Sequence, residues 1–451
     1  MFKNYIADRK FYRELWIIVL PIVGQHFITT FIQLLDNLMV GQLGEAEIAS
    51  VAVANQYYKL FHPAIVSICT GAAIFTAQYY GSKQKEQIQK IFGFKLIFPL
   101  GITLIFVLIG LIFPDWIVKR FIQDDPEVIQ YAKDYLKIVI WSFIPQSIST
   151  AFTFTYRPIK MTAIPMWASS AGMLCNLILN FLLIYGIWIF PEMGVKGAAL
   201  ATIFARLVEL GVYMIIYYKK DNLFKGKFLH YFKIDFKLAL QVFKKVIPLF
   251  INQTLSALAL VMIFSVYSNQ GTSEATIINI ADTVREVTYI LIGGLGTAAS
   301  ILVGHKLGAK KLDEAEQNAN YLIGYGFIMG IFIFLIICFI AFIIPQFYAI
   351  KSSTKLLVSF AILIYGFVAP FNALTRIPYF ILRSGGRVIE VTILDSLFLW
   401  AVRLPIALIA GYLFDLNIII LMLIIESTRI LNSIVSLTLY KRKTWLRTIT
   451  H

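Results

Sequence analysis

The sequence predicts an all-α membrane protein with twelve transmembrane helices in two pseudo-symmetric six-helix lobes. Three observations lead there. The first is composition: of 451 residues, 59% are hydrophobic and only 14% are charged, and the mean hydropathy is +0.76. Soluble domains carry about a quarter charged residues. The second is the recurrence of nearly charge-free windows of roughly 20 residues, the length that crosses a bilayer as a helix. These runs are continuous and do not alternate, which argues against a β-barrel. The third is that the second half of the chain repeats the first.

The twelve spans are predicted at 14–41, 47–78, 88–113, 130–156, 162–189, 195–218, 241–268, 275–305, 317–345, 355–381, 389–413 and 417–440. The loops between them alternate in charge. One set is basic: Lys3, Arg9, Lys10 and Arg13; Lys83, Lys85 and Lys90; Arg157 and Lys160; the segment 219–245; Lys306, Lys310 and Lys311; Arg383 and Arg387; and the tail YKRKTWLR. The other set, GQLGEAEIAS, PEMGVKG, NQGTSE and GYLFDLN, is poor in Lys and Arg. Positive charge is retained on the cytoplasmic side, so both termini and every basic loop are expected there, in an inner cell membrane. The net charge of +15 is thereby explained without a nucleic-acid partner. No cleavable signal peptide is read at the N-terminus. Cys69, Cys175 and Cys338 all lie in apolar runs, with no disulfide or metal spacing.

The repeat has an offset of 227. Pro21 matches Pro248, Gly44 matches Gly271, and Glu47 matches Glu274. Ala54, Thr70, Ala72, Gly81 and Lys83 match Ala281, Thr297, Ala299, Gly308 and Lys310. Later matches slip slightly, as with Pro145 to Pro370 and Arg157 to Arg383. A shared offset that includes Pro and Gly signals a duplication. The expected halves are 1–228 and 229–451, joined through the long polar connection 219–240. Six spans per half is an even number, so the halves are related by an axis along the membrane normal. That arrangement is common among secondary transporters.

One carboxylate interrupts the first span. Asp36, in FIQLLDNLMVGQLGE, lies about two turns below the outer surface. A charge at such depth costs at least about 2.5 kcal/mol and needs a reason. Span 5 puts Asn180 about three turns deep, with Asn176 one turn further on the same face. Span 6 puts Thr202 about two turns deep. A carboxylate, two amides and a hydroxyl at similar depth suit a hard cation such as sodium, or a proton on the carboxylate. The alternative is that the Asn residues only tie helices together and Asp36 reaches the interface. The repeat counterpart of Asp36 is Ile263 and that of Asn180 falls near Pro405, so the site is expected in the first half alone.

Span 8 carries Asp282, Arg285 and Glu286 at i, i+3 and i+4. They read either as a patch lining a substrate cavity or as a self-neutralised ion pair. Arg206 with Glu209, and Glu426 with Arg429, read as structural i, i+3 pairs. Arg376 is expected to snorkel to the cytoplasmic interface. Arg403, in mid-span, needs a partner; Asp395 on its own helix is one candidate. Pro21, Pro63, Pro145, Pro248 and Pro370 are positioned to kink spans. GGLG at 293–296 reads as close helix packing. No HExxH, nucleophile–histidine pair or nucleotide loop is present, so no cofactor is implied and an enzyme is disfavoured.

The segments LDNLMVGQLG, AAIFTAQYYGSKQKE, NLILNFLLIYGIWIFPEMGVKGAALATIFAR and GTAASILVGHKLGAKKLDEAE resemble the multidrug and toxic compound extrusion (MATE) family, of NorM/DinF type in the MOP flippase superfamily. The resemblance spans nearly the whole chain. It implies a V-shaped pair of lobes; a monomer is expected. It implies export of amphipathic, often cationic, compounds in exchange for H+ or Na+. The family's first-lobe cation site falls on Asp36, Asn176, Asn180 and Thr202. Some relatives have an acid where this chain has Asn180, and others have acids where it has Ser256 and Asn372. A flippase for lipid-linked or glycan precursors is the alternative within the superfamily; twelve spans and a lone anionic site weigh against it.

Overall fold

The computed structural model describes residues 6–120, 122, 126–219, 223–226, 231, 236–348, 350–414 and 416–449. Half of the connection 219–240 therefore lies outside the described residues. Among the described residues, twelve helices are long and apolar enough to cross a membrane. They are α1 (Arg9–Gly41), α2 (Glu45–Gly81), α3 (Lys85–Ile112), α4 (Pro126–Tyr156), α5 (Ala163–Tyr185) and α6 (Gly194–Lys219). The second set is α7 (Phe236–Ser268), α8 (Thr272–Gly308), α9 (Leu312–Ile340), α10 (Ser352–Ser384), α11 (Val388–Tyr412) and α12 (Ile418–Lys441). Among the described residues there is no strand. The predicted spans are met in number and order.

The duplication is visible in the backbone. Gly44 and Gly271 precede α2 and α8 with φ of 155° and 149°. A Cβ at either would lie 2.5 Å from the carboxylate of Glu47 or Glu274, three residues on. Both Gly-x-x-Glu turns are thus the same device, closed over a position that favours glycine. At the far ends of the same helices, Lys83 and Lys310 both adopt left-handed conformations, with φ of 58° and 59°. Side chains follow suit. Tyr185 donates to Gln42 at 2.8 Å, and Asn269 donates to Tyr412 at 2.7 Å. These four residues pair at the offset of 227.

Proline acts locally. Pro21, Pro63, Pro248 and Pro370 sit inside continuous helices. In α4 a 3-10 turn at Ile140–Ser142 precedes Pro145. In α11 a π-helical stretch, Leu399–Arg403, leads into Pro405. Proline supplies no N–H to the preceding turn, and the helix widens or tightens to relieve its ring.

The chain forms two compact units. One comprises Leu20–Val246. Its outer core stacks Phe61 on Phe143 at 4.2 Å between ring centres, with Tyr57, Val107, Tyr135 and Ile140 around them. Helices α5 and α6 meet backbone to backbone. A Cβ at Gly172 would lie 2.7 Å from the Ala205 carbonyl, and one at Gly197 would lie 2.6 Å from that of Leu183. Lys95 is fully buried, donating to Thr76 and Thr155 at 2.9 Å each and to the Phe154 carbonyl at 2.8 Å. That geometry uses all three ammonium hydrogens and ties α2, α3 and α4 together.

The other unit comprises Met1–Val19 and Ile247–His451. Helix α10 is its most buried element, with residues such as Val358, Ile362, Ala369 and Ile381 enclosed. Trp16 donates to Tyr325 at 2.9 Å, fixing the first turns of α1 within this unit. Trp445 is fully buried and stacks on Tyr440, while Arg447 donates to the Gly385 carbonyl at 3.1 Å. The basic tail is therefore docked onto the loop after α10.

Candidate functional site

In the unit Leu20–Val246, Asp36, Asn176 and Asn180 come together. Asn180 is fully buried and donates from its amide nitrogen to the half-buried Asp36 carboxylate. It also donates to the Asn176 carbonyl oxygen at 3.3 Å. The i, i+4 spacing on α5 puts both amides on one face. The glycine-mediated approach of α6 sets Thr202 at the same level. Thr202 donates to its own helix, to the Ala198 carbonyl at 3.0 Å. It is not hydrogen-bonded directly to Asp36 among the described contacts. It meets instead the side chain of Tyr135, from α4, which lies close enough to Asp36 to interact with its charge.

Tyr135 is a member the sequence reading missed. It is one of 23 tyrosines, and no motif around it in sequence singles it out. The remaining oxygen of this group is the most telling. The Asn180 carbonyl oxygen is buried and has no hydrogen-bond partner. Buried acceptors are nearly always satisfied, and an orphan at a polar cluster needs a reason. Carboxylate, amide and hydroxyl oxygens are ligands for hard monovalent cations. Among the described residues no group of three or more His, Cys, Asp and Glu is gathered for a transition metal.

A second polar network crosses this unit nearer mid-span. Arg157 donates to Gln25 at 2.7 Å, Gln25 to Ser169 at 2.7 Å, and Ser169 to Glu209 at 2.8 Å. Arg206 closes the chain on Glu209 at 2.8 Å, so the expected i, i+3 pair forms. The other unit has a counterpart of the link from Gln25 to Ser169: Asn252 donates to Asp395 at 3.1 Å, and it also accepts from Ser256 at 2.9 Å.

The α8 patch splits. Arg285 pairs with Asp282 at 2.8 Å, and Tyr365 donates to the other Asp282 oxygen at 2.6 Å. Glu286 lies exposed and outside this pair. Arg403 finds its partner on α12, not on its own helix: Glu426 accepts from both Arg403 and Arg429, and all three are largely buried. Asn372 accepts from Arg429 at 2.9 Å. Arg376 does not snorkel. It lies over the Tyr289 ring, 4.4 Å from its centre, near the middle of α8. The ring face holds it at that depth.

Twelve apolar helices, a backbone duplicated at one offset and a buried oxygen cluster on facing helices define a multi-pass membrane transporter scaffold. The MatE family profile matches residues 21–182 and 248–413, two blocks whose starts are again 227 apart, and the chain belongs to that family. It is 24% identical over 422 residues to the probable multidrug resistance protein YoeA of Bacillus subtilis, covering 90% of this chain and 89% of that one. It is 22% identical over 426 residues to the probable multidrug resistance protein NorM of Thermotoga maritima, covering 93% and 90%. Among solved structures, an outward-facing MATE transporter of the MOP superfamily superposes with a TM-score of 0.86 at 17% identity, covering 98% of this chain and 97% of that one. A MATE protein in the bent conformation gives 0.87 at 16% identity, covering 96% and 95%. The chain is a MATE-type multidrug efflux transporter by family, and nothing among these relatives favours the flippase alternative.

Proposed function

We propose that the protein is a cation-coupled antiporter. In this reading it exports small amphipathic organic compounds, including the cationic kind, across the inner cell membrane, with both termini cytoplasmic. Asp36 is the coupling residue, and Asn176, Asn180 and Thr202 complete an oxygen set for H+ or Na+. The observation that carries this reading is the buried, unpartnered Asn180 carbonyl oxygen beside the Asp36 carboxylate. A cation held there would satisfy that oxygen and neutralise the carboxylate, and a proton on Asp36 would do the second alone. Either form changes the charge on α1 in a low-dielectric span. Coupling requires that one ion state favour one transport conformation, since a ligand shifts an equilibrium only through differential affinity.

The test is efflux of a fluorescent organic cation from proteoliposomes under an imposed proton or sodium gradient. Asp36→Asn keeps the size and polarity and removes the charge. It is expected to abolish gradient-driven export while substrate binding without a gradient survives. Wild-type export by the folded variant would sink the assignment.

A further inference from the structure

Among the described residues, a cluster on α8, α10, α11 and α12 gathers more guanidinium than carboxylate charge. Arg285, Arg376, Arg403 and Arg429 gather around Tyr289, Tyr365 and Tyr267, and the carboxylates among them are Asp282 and Glu426. Both oxygens of each acid are already engaged. Glu426 takes Arg403 on one oxygen and Arg429 on the other. Asp282 takes Arg285 on one and Tyr365 on the other. Arg383, further along α10, interacts with Asp395, which accepts from Asn252. Counting the exposed Glu286 as well still leaves the guanidiniums in excess.

Arg376 is where the excess surfaces. It is exposed, whereas Asn372, Thr375 and Tyr379 around it on α10 are buried. Among the described residues no carboxylate lies within ion-pair distance of it, and its contact is the ring of Tyr289. Arg429 lies over the same ring at 5.6 Å, so two cations share one aromatic residue. Stacking uses the face of a guanidinium and leaves its in-plane N–H groups free to donate. A guanidinium turned to hydrocarbon at this depth costs at least about 2.5 kcal/mol. An exposed arginine near the middle of the helix bundle therefore faces a water-filled path.

We propose that this face is an anion-binding substrate subsite: Arg376, backed by Arg429 and Arg285, receives the carboxylate or phosphate group of an amphipathic organic molecule. The planar fork of Arg376 fits such a group through two parallel N–H bonds. An anion at that point also relieves the repulsion between Arg376 and Arg429 across Tyr289. The proposal rests on the transporter reading for its substrate, and it extends the transported range from cations to molecules that carry an anionic group.

The experiment is equilibrium binding to the purified full chain in neutral-lipid nanodiscs with no ion gradient. The probes are an aromatic dye carboxylate, its uncharged methyl ester and a matched amine. The wild type is expected to prefer the carboxylate over the ester by about tenfold or more, the size of one charge-assisted hydrogen bond. Arg376→Gln should erase that preference and leave the amine unaffected or better bound. Arg376→Lys should recover part of it, which a purely structural role would not predict. Equal binding of carboxylate and ester by the wild type overturns the proposal, and so does an equal loss of all three probes in Arg376→Gln. Competition by vesicles containing phosphatidylglycerol, lost in Arg376→Gln, would identify a lipid headgroup as the source of the anion; its absence, with the preference intact, would identify a soluble solute. Asp36→Asn should keep the carboxylate preference. Wild-type flux that does not respond to an imposed proton or sodium gradient would remove the antiport reading and leave this binding result standing.

Discussion

Asn180 donates its amide hydrogens to Asp36 and Asn176 and holds its own carbonyl oxygen buried and unpaired beside them. The amide is thus anchored by its nitrogen and presents its oxygen. Asn180→Ala removes that oxygen and one donor to Asp36. Cation affinity, read by sodium-dependent fluorescence or isotope binding, is expected to fall about tenfold, the scale of one charge-assisted bond. An unchanged affinity would show that the orphan oxygen is not a ligand.

Asn180→Asp is the converse change. It sets a second carboxylate at hydrogen-bonding distance from Asp36, and two like charges so close do not both ionise unless a cation lies between them. The variant is expected to bind sodium more tightly at alkaline pH and to lose that gain as acid protonates the pair. A sodium titration at several pH values checks this; pH-independent sodium affinity would contradict it.

Tyr135→Phe deletes the hydroxyl that meets Thr202 and retains the ring packed near Phe143. A several-fold fall in ion affinity with little change in melting temperature is expected. If melting falls and ion affinity does not, Tyr135 belongs to the core and not to the site.

Glu426→Ala should damage the protein more than Arg403→Ala. Removing Glu426 strands two buried guanidiniums, a loss of about 3–5 kcal/mol. Removing Arg403 leaves Glu426 still paired with Arg429. Thermal unfolding in detergent orders the two variants, and the reverse order would show that Glu426 does not hold both guanidiniums.

Gly44→Ala and Gly271→Ala should cost similar amounts, about 1–2 kcal/mol each, because both glycines hold positive φ and both face a glutamate three residues on. Comparable losses of thermal stability are expected. A loss at one and none at the other would mean that the two turns are not energetically equivalent.

Much of this was legible in the sequence for identifiable reasons. Asp36 stood out because an isolated charge in an apolar run is costly. The offset between halves was carried by Gly44, Gly271, Lys83 and Lys310, and the structure puts all four in backbone conformations that ordinary residues avoid. Asn176 and Asn180 were legible from helical spacing and depth, and from the family resemblance. Contacts between helices distant in sequence were not legible. Arg403 finds Glu426 across 23 residues and a turn, which spacing on one helix does not reveal. Arg376 was expected at the interface because helix ends can be counted and aromatic faces on neighbouring helices cannot. Tyr135 was hidden for the same reason.

The single carboxylate of the Asp36 site has an energetic consequence for how the membrane potential enters. One coupling cation exchanged for one organic monocation moves no net charge, and voltage adds nothing to the driving force. One cation entering while a zwitterion leaves moves a single charge inward, and one entering while a monoanion leaves moves two. Each such charge is worth about 2.3 kcal/mol per 100 mV. If Asp36 couples the cation and Arg376 receives the anion, the same chain runs as a voltage-indifferent exchanger for cations and as a voltage-driven one for anions.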